Sequence, residues 1–219
     1  LYFSANNTAT NRQVIGVAKA PTPTGPYVAI DTPVITDSPV DSGYQIDVTV
    51  YDDILSDITY IYWGSHYLAV AELNDDKTSI KPGTVKVITP EVGTNQAYAY
   101  NGAPYVLYRN GIYYFMWSAG DFNSPDYHVV YGTSSSPTGP ITVADDPIII
   151  KADPEKNIYG VGQNSVVQIP GTNDWYIAYH RFNQNFLDPD DHPELHREVC
   201  IDSIKFDNKG HILPIRPSL

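Results

Sequence analysis

Short apolar and aromatic runs, each closed by Pro, Gly, Asn or Asp, recur from one end of the chain to the other. Runs of this kind predict β-strands, half-buried where they alternate and fully buried where they are continuous. Val14 to Ala18 and Tyr27 to Ile30 come first. Ile46 to Tyr51 alternates, Ile58 to Gly64 is almost wholly apolar and aromatic, and Tyr67 to Leu73 follows. Further strands are expected at Tyr105 to Tyr108, Ile112 to Ser118, Val129 to Gly132, Ile148 to Ile150 and Val166 to Ile169. Trp175 to His180, Val199 to Phe206 and His211 to Ile215 complete the set. No segment of a dozen residues carries apolar positions at helical spacing, so substantial helix is not expected. Asn110-Gly111 is the clearest turn. A two-residue hairpin needs φ > 0 at both central positions, and Asn-Gly supplies that between two β-forming runs. Asn101 to Pro104 reads as the loop leading into this hairpin.

These strands gather into four clusters, residues 1–35, 46–90, 103–150 and 164–215. Pro23-Thr24-Gly25-Pro26 returns as Pro137-Thr138-Gly139-Pro140, each copy lying between two strands. The interval spans two units of roughly 50–60 residues, a spacing compatible with propeller blades. A single all-β domain over residues 1–219 is expected. Leu1 to Ala5 reads as the end of a buried strand without the basic start of a signal peptide, so the domain is expected to open upstream of Leu1.

Eighteen Tyr, 18 Pro and 15 Gly suit many short strands joined by tight turns. A net charge of −12 repels a phosphate backbone, which argues against nucleic acid and leaves a neutral ligand such as a sugar chain. No apolar run is long enough for a membrane-spanning helix. Cys200 is the only cysteine, so no intrachain disulfide can form. Asn6-Asn7-Thr8 has the form of a glycosylation sequon.

The hairpin from Asn101 to Ser118 resembles the catalytic-acid hairpin of the family 43 glycoside hydrolases. Other pieces resemble that family in the same order: Leu1-Tyr2-Phe3-Ser4-Ala5-Asn6, Gln45-Ile46-Asp47, Tyr60 to Ser65, Gly160 to Ser165, Trp175 to His180 and His196-Arg197-Glu198. The resemblance implies a five-bladed β-propeller with about four blades represented in this chain. It also implies inverting hydrolysis of arabinofuranosyl or xylosyl linkages in arabinoxylan or arabinan, a plant polysaccharide or oligosaccharide partner, and a secreted or periplasmic location. An endo-arabinanase is the less favoured member type. A fructan-processing propeller is disfavoured, because its Arg-Asp-Pro segment does not occur here.

Inversion uses one carboxyl group as general acid and a second, about 6.5–9.5 Å away, as base on a water. The family adds a third aspartate that keeps the acid protonated, since a nearby negative charge raises a carboxyl pKa. Asp47 matches this modulator; on residue type alone, an Asp at a strand entry is a turn cap. The acid glutamate is expected at position 102, where the chain has Gly102, by natural loss, engineering or a misread sequence. The base is expected on a segment ahead of Leu1. Asp153-Pro154 and Asp188-Pro189 are not at its position and read as turn formers, and Glu91 is a weak substitute acid in a loop.

Arg197 and Asn164 are the substrate-binding candidates implied by the resemblance, with a surface ion pair to Glu194 or Glu198 as the alternative for Arg197. Gln163 stands where many members have a histidine that helps hold calcium; its carbonyl oxygen suits that ion, with a plain turn as the alternative. No cofactor is required for the chemistry. Asp188 to His196 contains His192 and His196 at metal-ligand spacing, but Pro189 and Pro193 prevent the helix that would join them, so an acidic rim loop is expected. Trp63, Trp117, Trp175, Tyr113, Tyr114 and Tyr176 are expected in the core, with one tyrosine of each set able to face a ligand. A non-catalytic carbohydrate-binding propeller is the competing function, supported by Gly102.

Overall fold

The computed structural model describes residues 1–186 and 192–218. Among these, fourteen strands form four antiparallel sheets. The first contains β1 (Tyr2–Asn7), β2 (Arg12–Lys19) and β3 (Val28–Ala29). The second contains β4 (Thr49–Asp53), β5 (Ile58–Trp63), β6 (Ala69–Glu72) and β7 (Lys86–Val87). The third contains β8 (Gly102–Arg109), β9 (Ile112–Ala119), β10 (His128–Ser134) and β11 (Thr142–Ile150). The fourth contains β12 (Gly162–Gln168), β13 (Trp175–Phe182) and β14 (Arg197–Ile204). Helix is confined to short 3₁₀ turns.

Each neighbouring pair of sheets shares a core, and side-chain alternation explains why. In β5, Ile61 and Trp63 face Ile15, Val17 and Val34 of the first sheet's side, while Tyr60 and Tyr62 face Val106, Phe115 and Trp117 of the third. The continuous apolar run of Ile58 to Trp63 is therefore a strand buried on both faces. β9 repeats the pattern: Tyr113, Phe115 and Trp117 face the second sheet, and Tyr114 and Met116 face Ile177 and Tyr179 of the fourth. Burying each such side chain contributes about 1.5–3 kcal/mol. Polar contacts also cross the second interface, among them Tyr113 OH donating to buried Asp53 Oδ1 (2.8 Å) and Tyr62 OH donating to Pro137 O (2.8 Å). β4 and β12 both touch β8, so the first strands of successive sheets converge. This is the radial order of propeller blades, with about four of five represented.

The Asn110-Gly111 turn is as expected, with φ of 51° and 87° and Arg109 paired to Ile112. The two Pro-Thr-Gly-Pro copies occupy matching places, between β2 and β3 and between β10 and β11, and both Gly-Pro bonds are cis. All three tryptophans are buried. Several boundaries differ. Gly102 to Pro104, expected as loop, belongs to β8, interrupted by a bulge between Gly102 and Tyr105 where Ala103 takes φ 56°. Ile46 to Val48 lies ahead of β4, because Asp47 at φ 57° breaks the extended backbone. His211 to Ile215 makes only isolated bridges, Ile212 to Phe206 and Ile215 to Ile150. β1 is half-exposed rather than buried, and β7 had no apolar signal.

Candidate active site

The sheets bring one set of strand ends and loops to a common cleft of about 950 Å³. Asp47 enters two residues before β4, Gly64 to His66 follow β5, and Gly102 opens β8. The loop from Gly120 to Tyr127 follows β9, Gln163 is the second residue of β12, His180 sits near the end of β13, and Arg197 starts β14. Three of these wall residues, Asp47, His66 and Gln163, and Ala103 next to Gly102 have positive φ between 46° and 68°. Such backbone costs about 1–3 kcal/mol per residue and persists only where the surroundings fix it. Its concentration here marks the cleft as a built site.

Asp47 is the centre of the arrangement. Its Oδ2 accepts the Ala103 backbone N–H at 2.9 Å, and its Oδ1 accepts from Gln163 Nε2 at 3.3 Å. Burial raises its pKa above the ordinary carboxylate range, against the Ala103 hydrogen bond and the positive charge of Arg197, which both lower it. Gly102 faces it directly: a Cβ built on Gly102 falls 2.6 Å from Asp47 Oδ2. Sequence reasoning paired these two positions, and the structure brings them together.

His180 and Tyr127 form the adjoining wall, their rings stacked at 6.0 Å and 22°. Burial first, and then Arg197, holds the His180 pKa down to about 4. Its Nε2 is buried without a hydrogen-bond partner. Tyr127 lies over Gly162, where any Cβ would come within 2.0 Å of its ring. Burial pushes the Tyr127 hydroxyl up to about 12. Tyr100 donates to Gly64 O at 2.8 Å, and burial together with Asp47 holds its pKa high.

Arg197 lines the cleft, with its guanidinium 5.7 Å from the exposed Phe122 ring and Nη2 donating to Phe122 O at 3.4 Å. Neither carboxylate offered as its surface partner takes it. Glu198 accepts from Arg181 Nε at 2.8 Å, and Glu194 pairs with His192 at 3.0 Å. Asn164 is not in this cleft. It lines a second cavity of about 440 Å³ that shares Asp47, Gln163 and His180 with the first, and its Nδ2 points at Met116 Sδ (3.2 Å).

The described residues around Gln163 do not fit a calcium cage. Calcium takes six to eight oxygens. Gln163 turns its amide nitrogen toward Asp47, and His180 offers nitrogen only. No group of three His, Cys, Asp or Glu among the described residues is placed to hold a metal, His192 and His196 included. The acidic stretch proposed as a rim loop lies partly outside the described residues, at 187–191, and Asp188-Pro189 falls there. Asp153 stands at the head of a short 3₁₀ turn without a side-chain capping hydrogen bond, and its carboxylate pairs with Arg216 (2.6 Å). Glu91 is exposed in a loop away from the cleft, so it is no substitute acid. Tyr113 and Tyr114 are buried and Tyr176 is surface-exposed; none lines the cleft. His66, Tyr100, Asp121, Phe122, Tyr127 and His180 were not found by sequence reasoning, because their strand-end and loop positions carry no local pattern.

Sheets of this order around a shared cleft, with a carboxylate ahead of an inner strand, define a partial propeller whose cleft holds a desolvated carboxyl group. Residues 1–212 match glycosyl hydrolases family 43, and the chain belongs to that family. It is 35% identical over 221 residues to a protein of Aspergillus niger called beta-D-galactofuranosidase xynD, covering all of this chain and 59% of that protein. The chain thus spans about three-fifths of the length of the curated relative it matches. Two solved structures share the fold. A thermostable family-43 glycoside hydrolase superposes with a TM-score of 0.82 at 24% identity, over 99% of this chain and 71% of the other. A GH43 beta-xylosidase/alpha-arabinofuranosidase from a compost metagenome, complexed with xylotriose, gives 0.76 at 22% identity over 100% and 70%.

Proposed function

We propose that the chain is the cleft-bearing part of an inverting glycosidase that acts on arabinofuranosyl or xylosyl linkages of plant arabinoxylan or arabinan. The observation that carries this reading is Asp47, a desolvated carboxyl group at the cleft centre, set against the position from which the family's acid would project. Arg197, unpaired with any carboxylate among the described residues, is placed to hold sugar hydroxyls. The base carboxylate comes from chain outside these residues, and the polysaccharide partner implies secretion or a periplasmic location. The name of the Aspergillus niger relative favours the furanosyl arm, since α-L-arabinofuranose and β-D-galactofuranose share a ring configuration and differ by a hydroxymethyl group.

Hydrolysis is weak, because general-acid assistance is worth about 10²–10⁴-fold and Gly102 has no proton to give. Installing Gly102→Glu in the full-length chain tests this. A rise in turnover of unactivated arabinosides or xylosides supports the reading, and an unchanged rate with intact sugar binding contradicts it. That second result belongs to the alternative, a non-catalytic carbohydrate-binding propeller, which Gly102 itself favours.

A further inference from the structure

We propose that in this chain Asp47 is itself the proton donor, its carboxyl group filling the space left beside Gly102 and meeting the glycosidic oxygen from there. The inference rests on the glycosidase reading above and assigns the missing role within it.

The geometry leads to it in three steps. A side chain at position 102 would begin with a Cβ 2.6 Å from Asp47 Oδ2, closer than real Cβ contacts come. The carboxyl end of Asp47 therefore stands in space that is open only because residue 102 carries no side chain. Both carboxyl oxygens are fixed from strained positions, Oδ2 by Ala103 N–H and Oδ1 by Gln163 Nε2, while the group still lines the 950 Å³ cleft.

The other titratable groups facing Asp47 are poorer donors. Asp121 is exposed and its Oδ1 is engaged in its own loop by Asn123 N–H (3.0 Å). Tyr100 spends its hydroxyl proton on Gly64 O. Burial and Arg197 keep His180 neutral, with Nε2 enclosed. His66 has its Nδ1 against Ser65 Oγ (3.1 Å), and Tyr127 and Tyr44 are phenols, with Tyr127 pushed up to about 12. Burial favours the protonated form of Asp47, as a donor requires.

The step balances without a further reagent. The Asp47 carboxyl proton passes to the glycosidic oxygen as the bond from C1 to that oxygen breaks. A water oxygen bonds to C1, the surplus water proton leaves to solvent, and Asp47 regains a proton from solvent. Asp47 Oδ2 lies level with the first side-chain atom of residue 102, so the leaving oxygen must sit deeper than it would for a glutamate, and turnover stays below that of a glutamate-bearing enzyme.

The test compares kcat/KM for an alkyl and a p-nitrophenyl arabinofuranoside in the full-length protein and its Asp47→Asn variant. The ratio of the two values does not depend on the fraction of folded protein. If Asp47 protonates the leaving oxygen, Asp47→Asn slows the alkyl glycoside by about 10²–10⁴-fold and the aryl glycoside far less, because a nitrophenolate leaves without help. An aryl-to-alkyl ratio unchanged by Asp47→Asn overturns the proposal while the glycosidase reading stands. No hydrolysis of either substrate, with arabino-oligosaccharide binding retained, overturns the proposal and favours the binding module. Loss of both hydrolysis and sugar binding in the unmodified protein overturns the site reading as well.

Discussion

Asp47 and Gly102 come from different blades, 2.6 Å apart when Gly102 is given a Cβ, and the carboxyl oxygen of one occupies the approach of the other. Asp47 reaches this place because its backbone turns to φ 57° two residues before β4, and Gly102 because β8 starts three residues earlier than its apolar pattern suggests. Gly102→Ala is therefore expected to push the Asp47 carboxyl off the Ala103 N–H, at a cost to the fold of one hydrogen bond, about 0.5–1.5 kcal/mol. Thermal unfolding of the alanine variant measures this, and a melting temperature at or above the parent's contradicts it.

His180 gives the protein a pH dependence of known sign. Its folded pKa of about 4 lies below the ordinary value of 6.5. Between those values the unfolded chain binds a proton that the folded chain does not, so stability rises with pH from about 4 to 6.5 and is lost on acidification through that window. The full effect is on the order of 3 kcal/mol. Unfolding free energies of the parent and His180→Gln across this range are expected to diverge toward acid, with the variant flatter; parallel curves count against the assignment.

Gly162 holds Tyr127 in the cleft wall. A methyl group there meets the Tyr127 ring at 2.0 Å and forces it off His180. Gly162→Ala is expected to cost about 1–3 kcal/mol. In the same variant the His180 pKa should climb as solvent reaches the ring, read by NMR titration, and a value still near 4 shows that Tyr127 is not what shields it.

Removing Arg197 acts on the same histidine and on ligand binding. Its charge lowers the His180 and Asp47 pKa values, so Arg197→Ala is expected to raise both. Loss of hydrogen bonds from a charged donor should weaken oligosaccharide binding by about 1.5–3 kcal/mol. Calorimetry with arabinotriose decides this, and unchanged affinity removes Arg197 from the sugar site.

The legible part of the fold was what one strand and its turn encode. The doubly apolar run Tyr60-Ile61-Tyr62-Trp63 announced a strand between two cores, and Asn110-Gly111 announced a turn with two positive φ angles. Asp47 could be singled out because residues beside it resemble a family segment. His180 and Tyr127 could not, since each ends or precedes an ordinary strand, and their place depends on Gly162, which pairs with His180 across the strands and leaves room for the Tyr127 ring. Asn164, expected beside the substrate, follows a register shift between Gly162 and Asn164 and has its side chain toward Met116, in the second cavity that shares Asp47, Gln163 and His180 with the larger cleft. Gln163 was expected to show an oxygen to calcium, but with Asp47 opposite, its amide donates instead.

The most direct measurement is a crystal structure of the full-length protein with an arabino-trisaccharide. The account expects a sugar ring in the cleft with its glycosidic oxygen within hydrogen-bond distance of Asp47 and a hydroxyl on Arg197. A trisaccharide bound elsewhere, with the space between Asp47 and Arg197 free of sugar, contradicts it.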